Sequence, residues 1–180
     1  NSTLKSHLYI QKAATAGPNW VGQYWTWTPS ANDWVMTILT DCGGNASFNS
    51  AAIMYGVAGG AGKIETFGVR FTAASSWRLE HDSWTTPTGT GAIITNLTAT
   101  LTPPPMPLWL AVKYVSATNV EMYFSSSGLI WHPMTLARNP GFTTGIVGLV
   151  IESENATYGQ SGAFDCIRYG NGALPNAGAP

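Results

Sequence analysis

Residues 108–131, LWLAVKYVSATNVEMYFSSSGLIW, decide the fold. Apolar residues alternate with others through LWLAVKYV and again through NVEMYFS, the period of two expected of strands that bury one face. Ser127-Gly128, between the second run and LIWHPM, supplies a tight turn, because glycine takes φ > 0 without a Cβ clash. The spacing predicts two antiparallel strands and a hairpin with a bulge near Gly128. Side chains two apart share a face, so Leu108, Leu110, Val112 and Tyr114 are expected inward, as are Val120, Met122 and Phe124. Trp109, Ala111 and Lys113 then face outward, as do Glu121, Tyr123 and Ser125.

The same period runs through the rest of the chain. DWVMTILT at 33–40 places Trp34, Met36 and Ile38 on one side and Val35, Thr37 and Leu39 on the other. Both faces are nearly apolar, so this strand is expected at the centre of a sheet or under a loop or partner chain. Further strands are predicted at 8–11, 51–57, 63–71, 76–82, 93–101, 146–151 and 163–169. Turn signals separate many of them by about 8 to 12 residues, the spacing of a β-sandwich. Within 76–82, Trp77, Leu79 and His81 share one face, and Arg78, Glu80 and Asp82 the other. Residues 1–19 are expected as an N-terminal arm or edge strand, 20–170 as one domain and 171–180 as a loose C-terminal tail.

Composition agrees. The 180 residues are 44% hydrophobic and only 9% charged, against about 25% charged in an ordinary domain. Such a profile suits short strands and uncharged turns better than exposed helices. A net charge of −1 with scattered Lys and Arg gives no basic patch, so no nucleic-acid binding is expected. No apolar run approaches the ~20 residues of a membrane span, so no membrane insertion is expected. The histidines and the two cysteines lack metal-ligand spacing, and no cofactor is expected. Cys166 is expected buried and free, Cys42 uncommitted in a turn.

The 108–131 run resembles a pattern of bacteriophage tail and appendage proteins with a concanavalin A-like jelly-roll domain: LWLRI, a polar turn, a strand ending YYS, then S-x-D-G-x-x-W. Here Ser127 stands where that family has Asp. Lys63-Ile64-Glu65-Thr66-Phe67-Gly68-Val69 is similar to its K-x-x-T-F-G-V strand, Ser76-Trp77-Arg78-Leu79 to its W-K-L strand and Ile146-Val147-Gly148-Leu149-Val150 to its V-G-L-x-V strand. Phe164-Asp165-Cys166-Ile167-Arg168 is similar to its closing F-D-W-F-R strand, with Cys166 in place of Trp. The resemblance implies an all-β chain, an antiparallel β-sandwich of concanavalin A-like jelly-roll type. It also implies a virion component of a tailed phage, a tail fibre, tail tip or capsid-attached appendage, assembled in the bacterial cytoplasm and exposed on the particle.

Jelly-roll glycosidases carry acids in an E-x-D-x-E pattern along one strand face. Glu80-His81-Asp82-Ser83-Trp84 starts that pattern and has Trp in the third place, so no enzymatic activity and no catalytic residue are expected. Glycan binding needs exposed aromatic rings and a few fixed polar groups. Trp109, Lys113, Glu121 and Tyr123 form the first candidate site, joined by Arg78 and Glu80 if their strand lies in the same sheet. Tyr24, Trp25, Trp27 and Trp84 form a second. The expected partners are other virion proteins, further copies of the chain as a homo-oligomer, and a host surface polysaccharide. The alternative is a structural decoration protein that uses the outward face for subunit contacts.

Overall fold

The computed structural model describes residues 8–13, 20–43, 49–59, 62–73, 76–89, 91–99, 106–153, 157 and 159–175. Twelve strands and no helix run through them: β1 (Leu8–Lys12), β2 (Trp20–Thr26), β3 (Asp33–Gly43), β4 (Asn49–Gly56), β5 (Ile64–Ala73), β6 (Ser76–Trp84), β7 (Gly91–Ala99), β8 (Leu108–Ser116), β9 (Asn119–Ser125), β10 (His132–Arg138), β11 (Ile146–Ser153) and β12 (Gln160–Asn171). They form two six-stranded sheets. Sheet A has the order β1-β12-β3-β8-β9-β10 and sheet B the order β2-β11-β4-β5-β6-β7. Every pairing is antiparallel.

One core lies between the sheets. Sheet A contributes Val35, Leu39, Leu108, Leu110, Val112, Val120 and Met122, and sheet B contributes Ile53, Phe67, Val69, Trp77, Leu79, Val147, Leu149 and Ile151. These are the inward sets that alternation predicts. In the β8–β9 pair, Trp109 lies opposite Ser125, Ala111 opposite Tyr123 and Lys113 opposite Glu121. The central place of β3, between β12 and β8, is also as expected.

The tight turn is not found. Strand β9 ends at Ser125 and β10 begins at His132, leaving Leu129 and Ile130 exposed in the connection rather than paired. Ser125 Oγ accepts from Gly128 N at 2.8 Å and from Ser127 N at 3.3 Å. The side chain thus captures backbone donors that a short hairpin would have used in its ladder. Gly128 does take a positive φ, 70°. Strand β10 is irregular, with two register shifts and a positive φ of 55° at Ala137.

What holds this irregular edge is a buried carboxylate. Glu65 on β5 is fully buried and faces the core. Its Oε1 accepts from Arg138 Nε at 3.0 Å and Nη2 at 2.7 Å, a two-pronged grip on β10 across the sandwich. Its Oε2 accepts from the Tyr55 hydroxyl and lies 3.1 Å from His81 Nε2. His81 Nδ1 lies 3.0 Å from Thr135 Oγ1, a second tie to β10. Burial pushes the Glu65 carboxyl up, but the bonds from His81, Arg138 and Tyr55 outweigh it and hold the group below its ordinary value.

Removing one partner would strand the other charge. Arg138→Met or Glu65→Leu should each cost about 3–5 kcal/mol, the usual effect of breaking a buried pair from one side. The double variant should recover part of the loss, and urea unfolding of the three proteins measures it. Because the Glu65 value is depressed in the folded state, its stabilisation is present above the unfolded carboxyl pKa and is lost as pH falls through the folded one.

Candidate functional site

The six residues marked by the sequence do not form one site. Trp109 and Lys113 on β8, with Glu121 and Tyr123 on β9, do share the outer face of sheet A. Arg78 and Glu80 lie on β6 in sheet B, on the far side of the molecule, because β6 pairs with β5 and β7 and has no partner in sheet A. The sheet A face is also no open platform. Trp109 is only 8% exposed, with the Arg168 guanidinium 5.8 Å from its ring centre. It belongs to an apolar cluster with Trp34, Met36 and Ala111, against which Tyr123, Trp131 and Leu174 pack. Leu174 lies in the segment expected to be loose. The Tyr123 hydroxyl donates to Glu121 at 2.6 Å, and burial together with that carboxylate pushes it up to about 12.

The outer face of sheet B is built differently. Arg78, Glu80, Asp82 and Trp84 alternate outward along β6, as the period requires, and meet Arg70 and Thr66 of β5. Glu152 of β11 and Ser50 of β4 lie opposite each other and complete the group. Arg70 sits at its centre: Nη1 is 2.8 Å from Glu152 and 3.8 Å from Asp82, and Nε is 3.3 Å from Glu80. Arg78 pairs with the other oxygen of Glu80. Three carboxyl groups thus gather around two guanidinium groups, all but Arg78 buried. Asp82 is the carboxyl here that keeps its proton, because burial penalises the charged form. Burial first, then the neighbouring Glu80, push Asp82 up to about 9.

Beside this floor is an aromatic cleft. Trp20 stands edge-on to Trp84, ring centres 5.4 Å apart, and its backbone N–H donates to Pro87 O at 3.1 Å. Trp20, Gly22, Tyr24, Met54, Pro87 and Val150 are among the residues lining a cleft of about 340 Å³. Trp20 also lines the small void over Arg70, Glu80 and Asp82, so one indole separates cleft from charged floor. Its Nε1 is buried with no acceptor among the described residues. Tyr24, in contrast, is 48% exposed. The arrangement presents one open ring, that of Tyr24, beside a cleft whose wall holds the largely buried Trp20.

Of the second set of aromatic residues, Tyr24 and Trp84 belong to this face, while Trp25 and Trp27 pack with the core between the sheets. Sequence reading missed Trp20, Arg70 and Glu152. Only the E-x-D alternation of Glu80 and Asp82 pointed to the floor; the other members come from strands distant in sequence.

No family model matches the sequence, and no curated protein matches it. Solved structures match in fold. A functionally unknown protein from Saccharomyces cerevisiae superposes with a TM-score of 0.65 at 13% identity, over 96% of this chain and 92% of that one. A xylan β-1,4-xylosidase from Bacillus halodurans C-125 gives a TM-score of 0.63 at 15% identity, over 91% of this chain and 32% of the enzyme, so this chain spans about a third of that length. A legume lectin-like domain from Entamoeba histolytica gives a TM-score of 0.57 at 9% identity, over 96% of this chain and 90% of that one. The chain is therefore an all-β, lectin-like sandwich of jelly-roll type. The CBM2 module of the evolved Dit of Lactobacillus casei BL23 phage J-1 shares the fold as well, with a TM-score of 0.57 at 8% identity, over 92% of this chain and 80% of that one, a likeness of fold alone.

One expectation is corrected by it. The acid missing after Asp82 predicts a chain without enzymatic activity, yet a xylosidase holds this same fold within its chain. A missing residue in one strand motif does not argue against activity when the fold occurs in such enzymes and other strands, here β11 with Glu152, supply carboxyl groups to the same face.

The floor makes a prediction about pH. The folded chain holds the Asp82 proton up to about pH 9, whereas the unfolded chain releases it near the ordinary 3.8. Between those values the folded state binds more protons, so stability falls as pH rises through this window. Asp82→Asn, which keeps the shape of the protonated acid, should flatten that fall. Thermal midpoints at pH 5 and pH 8 test it: the unaltered chain loses several degrees more than the variant, a shift of about 2–4 °C per kcal/mol at this size.

Proposed function

We propose that the chain recognises carbohydrate in the cleft of Trp20 and Tyr24 on the outer face of sheet B. The observation that carries this is the cleft itself: Trp20 and Tyr24 are among the residues lining a pocket of about 340 Å³ beside a charged floor, Tyr24 is 48% exposed, and the buried Trp20 Nε1 has no acceptor among the described residues. Sugar rings present an apolar face to aromatic groups and hydroxyl oxygens to donors such as this indole. A lectin-like domain and a xylosidase of the same fold support the reading.

Placement on a phage particle, among other virion proteins and in several copies, is the further part of the proposal and rests on the sequence resemblance. Many copies would convert weak single contacts into firm adhesion. The outer face of sheet A, with Trp109, Lys113, Glu121 and Tyr123, has less claim to the glycan because Leu174 packs against its aromatic cluster, whereas Tyr24 on sheet B stands 48% exposed beside a cleft.

Affinity electrophoresis and calorimetry against a panel of soluble polysaccharides, xylan among them, test the reading. Tyr24→Ala, at an exposed position, should lower affinity about tenfold with the fold unchanged, the effect of losing one stacking ring worth about 1.5 kcal/mol. Retarded migration that is equal in the variant would reject the cleft.

A second reading, glycoside hydrolysis, is favoured by the pairing of the protonated Asp82 with Glu80, whose oxygens the two arginines grip. Two neighbouring carboxyl groups, one of them holding a proton, are what the reaction draws on. Release of reducing sugar from the same panel, abolished by Asp82→Asn and by Glu80→Gln, is the expected outcome. Binding without release would leave recognition alone.

A further inference from the structure

The strand order of sheet B limits what its outer face can hold. Trp20 on β2 and Trp84 on β6 are separated by β11, β4 and β5, so on a flat sheet their strands would lie about 19 Å apart, four spacings of ~4.8 Å. Two indoles do not span that gap, yet the ring centres are 5.4 Å apart. Sheet B is therefore curled with its concave side outward, and the two rings meet over the hollow. Both are pinned. Trp84 Nε1 donates to Thr66 Oγ1 at 3.0 Å, the Arg70 guanidinium lies 5.8 Å from the centre of its ring, and a Cβ at Gly91 would come within 2.6 Å of that ring. The Trp20 backbone N–H donates to Pro87 O at 3.1 Å, which ties the connection after β6 to the first residue of β2. Two indoles and one backbone bond thus bridge the hollow from β2 to β6.

This bridge closes one end of the cleft. Trp20 and Pro87 line it together with Tyr24, Met54, Ile64 and Val150. Behind Trp20, Arg70, Glu80 and Asp82 are each more than nine-tenths buried, and the void they share with the indole is about 10 Å³, room for one water at most. The other end is open: Tyr24, four residues or about 13 Å further along β2, is 48% exposed. Resting on the carbohydrate reading, we infer from this shape that the cleft takes the end of an uncharged glycan chain, or a short oligosaccharide, and not an internal stretch of a long one. A chain that threads through a site needs two open ends, and the wall of Trp20, Trp84 and Pro87 stands across one. The volume of about 340 Å³ agrees, near the small end of the roughly 300–1,000 Å³ of ligand pockets. Charge is set by the lining, which carries no ionisable group besides the Tyr24 phenol. The nearby Arg70 guanidinium is engaged by Glu80 and Glu152, so a carboxylate or sulfate on the sugar would lose water without gaining a cation.

Calorimetry on the unaltered chain tests this. Soluble xylan, β-glucan, mannan, galactan and dextran are each titrated intact and after limited hydrolysis, which multiplies chain ends at constant mass. For a polysaccharide that binds, capacity per gram should rise in proportion to the ends, about tenfold for chains cut to about a tenth, with the affinity per end unchanged. A capacity that stays level or falls on shortening means that internal stretches bind; it overturns the inference and leaves the carbohydrate reading standing. Binding of none of these polymers, intact or shortened, overturns both. Polygalacturonate fragments, which are acidic, should bind at least about tenfold more weakly than the best neutral fragments, and equal or tighter binding overturns the choice of an uncharged ligand. Trp20→Ala, which removes the wall, is a second measure, with its fold checked by circular dichroism. In the folded variant the gain in capacity on shortening should shrink, because intact chains can now pass. A gain that stays the same shows that Trp20 is no wall and overturns the inference.

Discussion

The burial of one carboxylate between two sheets constrains much of this fold. Glu65 is fully shielded from solvent and receives bonds from Tyr55 and His81 of its own sheet and from Arg138 of the opposite one. An ion pair in such a place contributes little net stability over apolar packing, because removing both charges from water costs about as much as their attraction returns. What it contributes is position. Strand β10 has register shifts and a left-handed residue, and two side chains reaching from sheet B, Glu65 and His81, fix where it closes the sandwich.

Both outer faces show the same economy of charge. A chain with 9% charged residues cannot cover twelve strands with lysine and glutamate, so outward positions on both sheets include apolar side chains that need a cover. On sheet A the cover is the chain's own stretch around Leu174. On sheet B the apolar cluster of Trp20, Met54, Ile64, Trp84 and Val150 borders five ionisable side chains, three acids and two arginines. Three acids against two arginines balance only if one acid stays protonated, and Asp82 is the one that keeps its proton. Charge that is buried, paired and adjacent to an aromatic cleft is the setting in which protein sites hold a polar ligand in a fixed orientation.

Two of the adjustments that separate the expected chain from the folded one have local causes. Ser125 captures the amides of Ser127 and Gly128 and so lengthens the connection that was read as a tight turn. The stretch 171–175, poor in apolar periodicity, is held because one leucine and one carbonyl find partners on distant strands. Periodicity reports faces of regular elements; it is silent about a single side chain whose partner lies elsewhere.

The sequence by itself determined the all-β class, most of the strands and their inner faces, since the period of two along 108–124 and 76–82 is a local property of strands that bury one face. It also marked Glu80 and Asp82 as neighbours on one face. Which strands share a sheet was decided by tertiary structure alone. Arg78 and Glu80 were grouped with Trp109 and Tyr123 by character, yet they lie on opposite sheets, while Arg70, Trp20 and Glu152 converge on Glu80 from β5, β2 and β11. The physical reason is that strand order is set by the closing of one common core, a sum over many long-range contacts, and no stretch of residues carries that sum within itself.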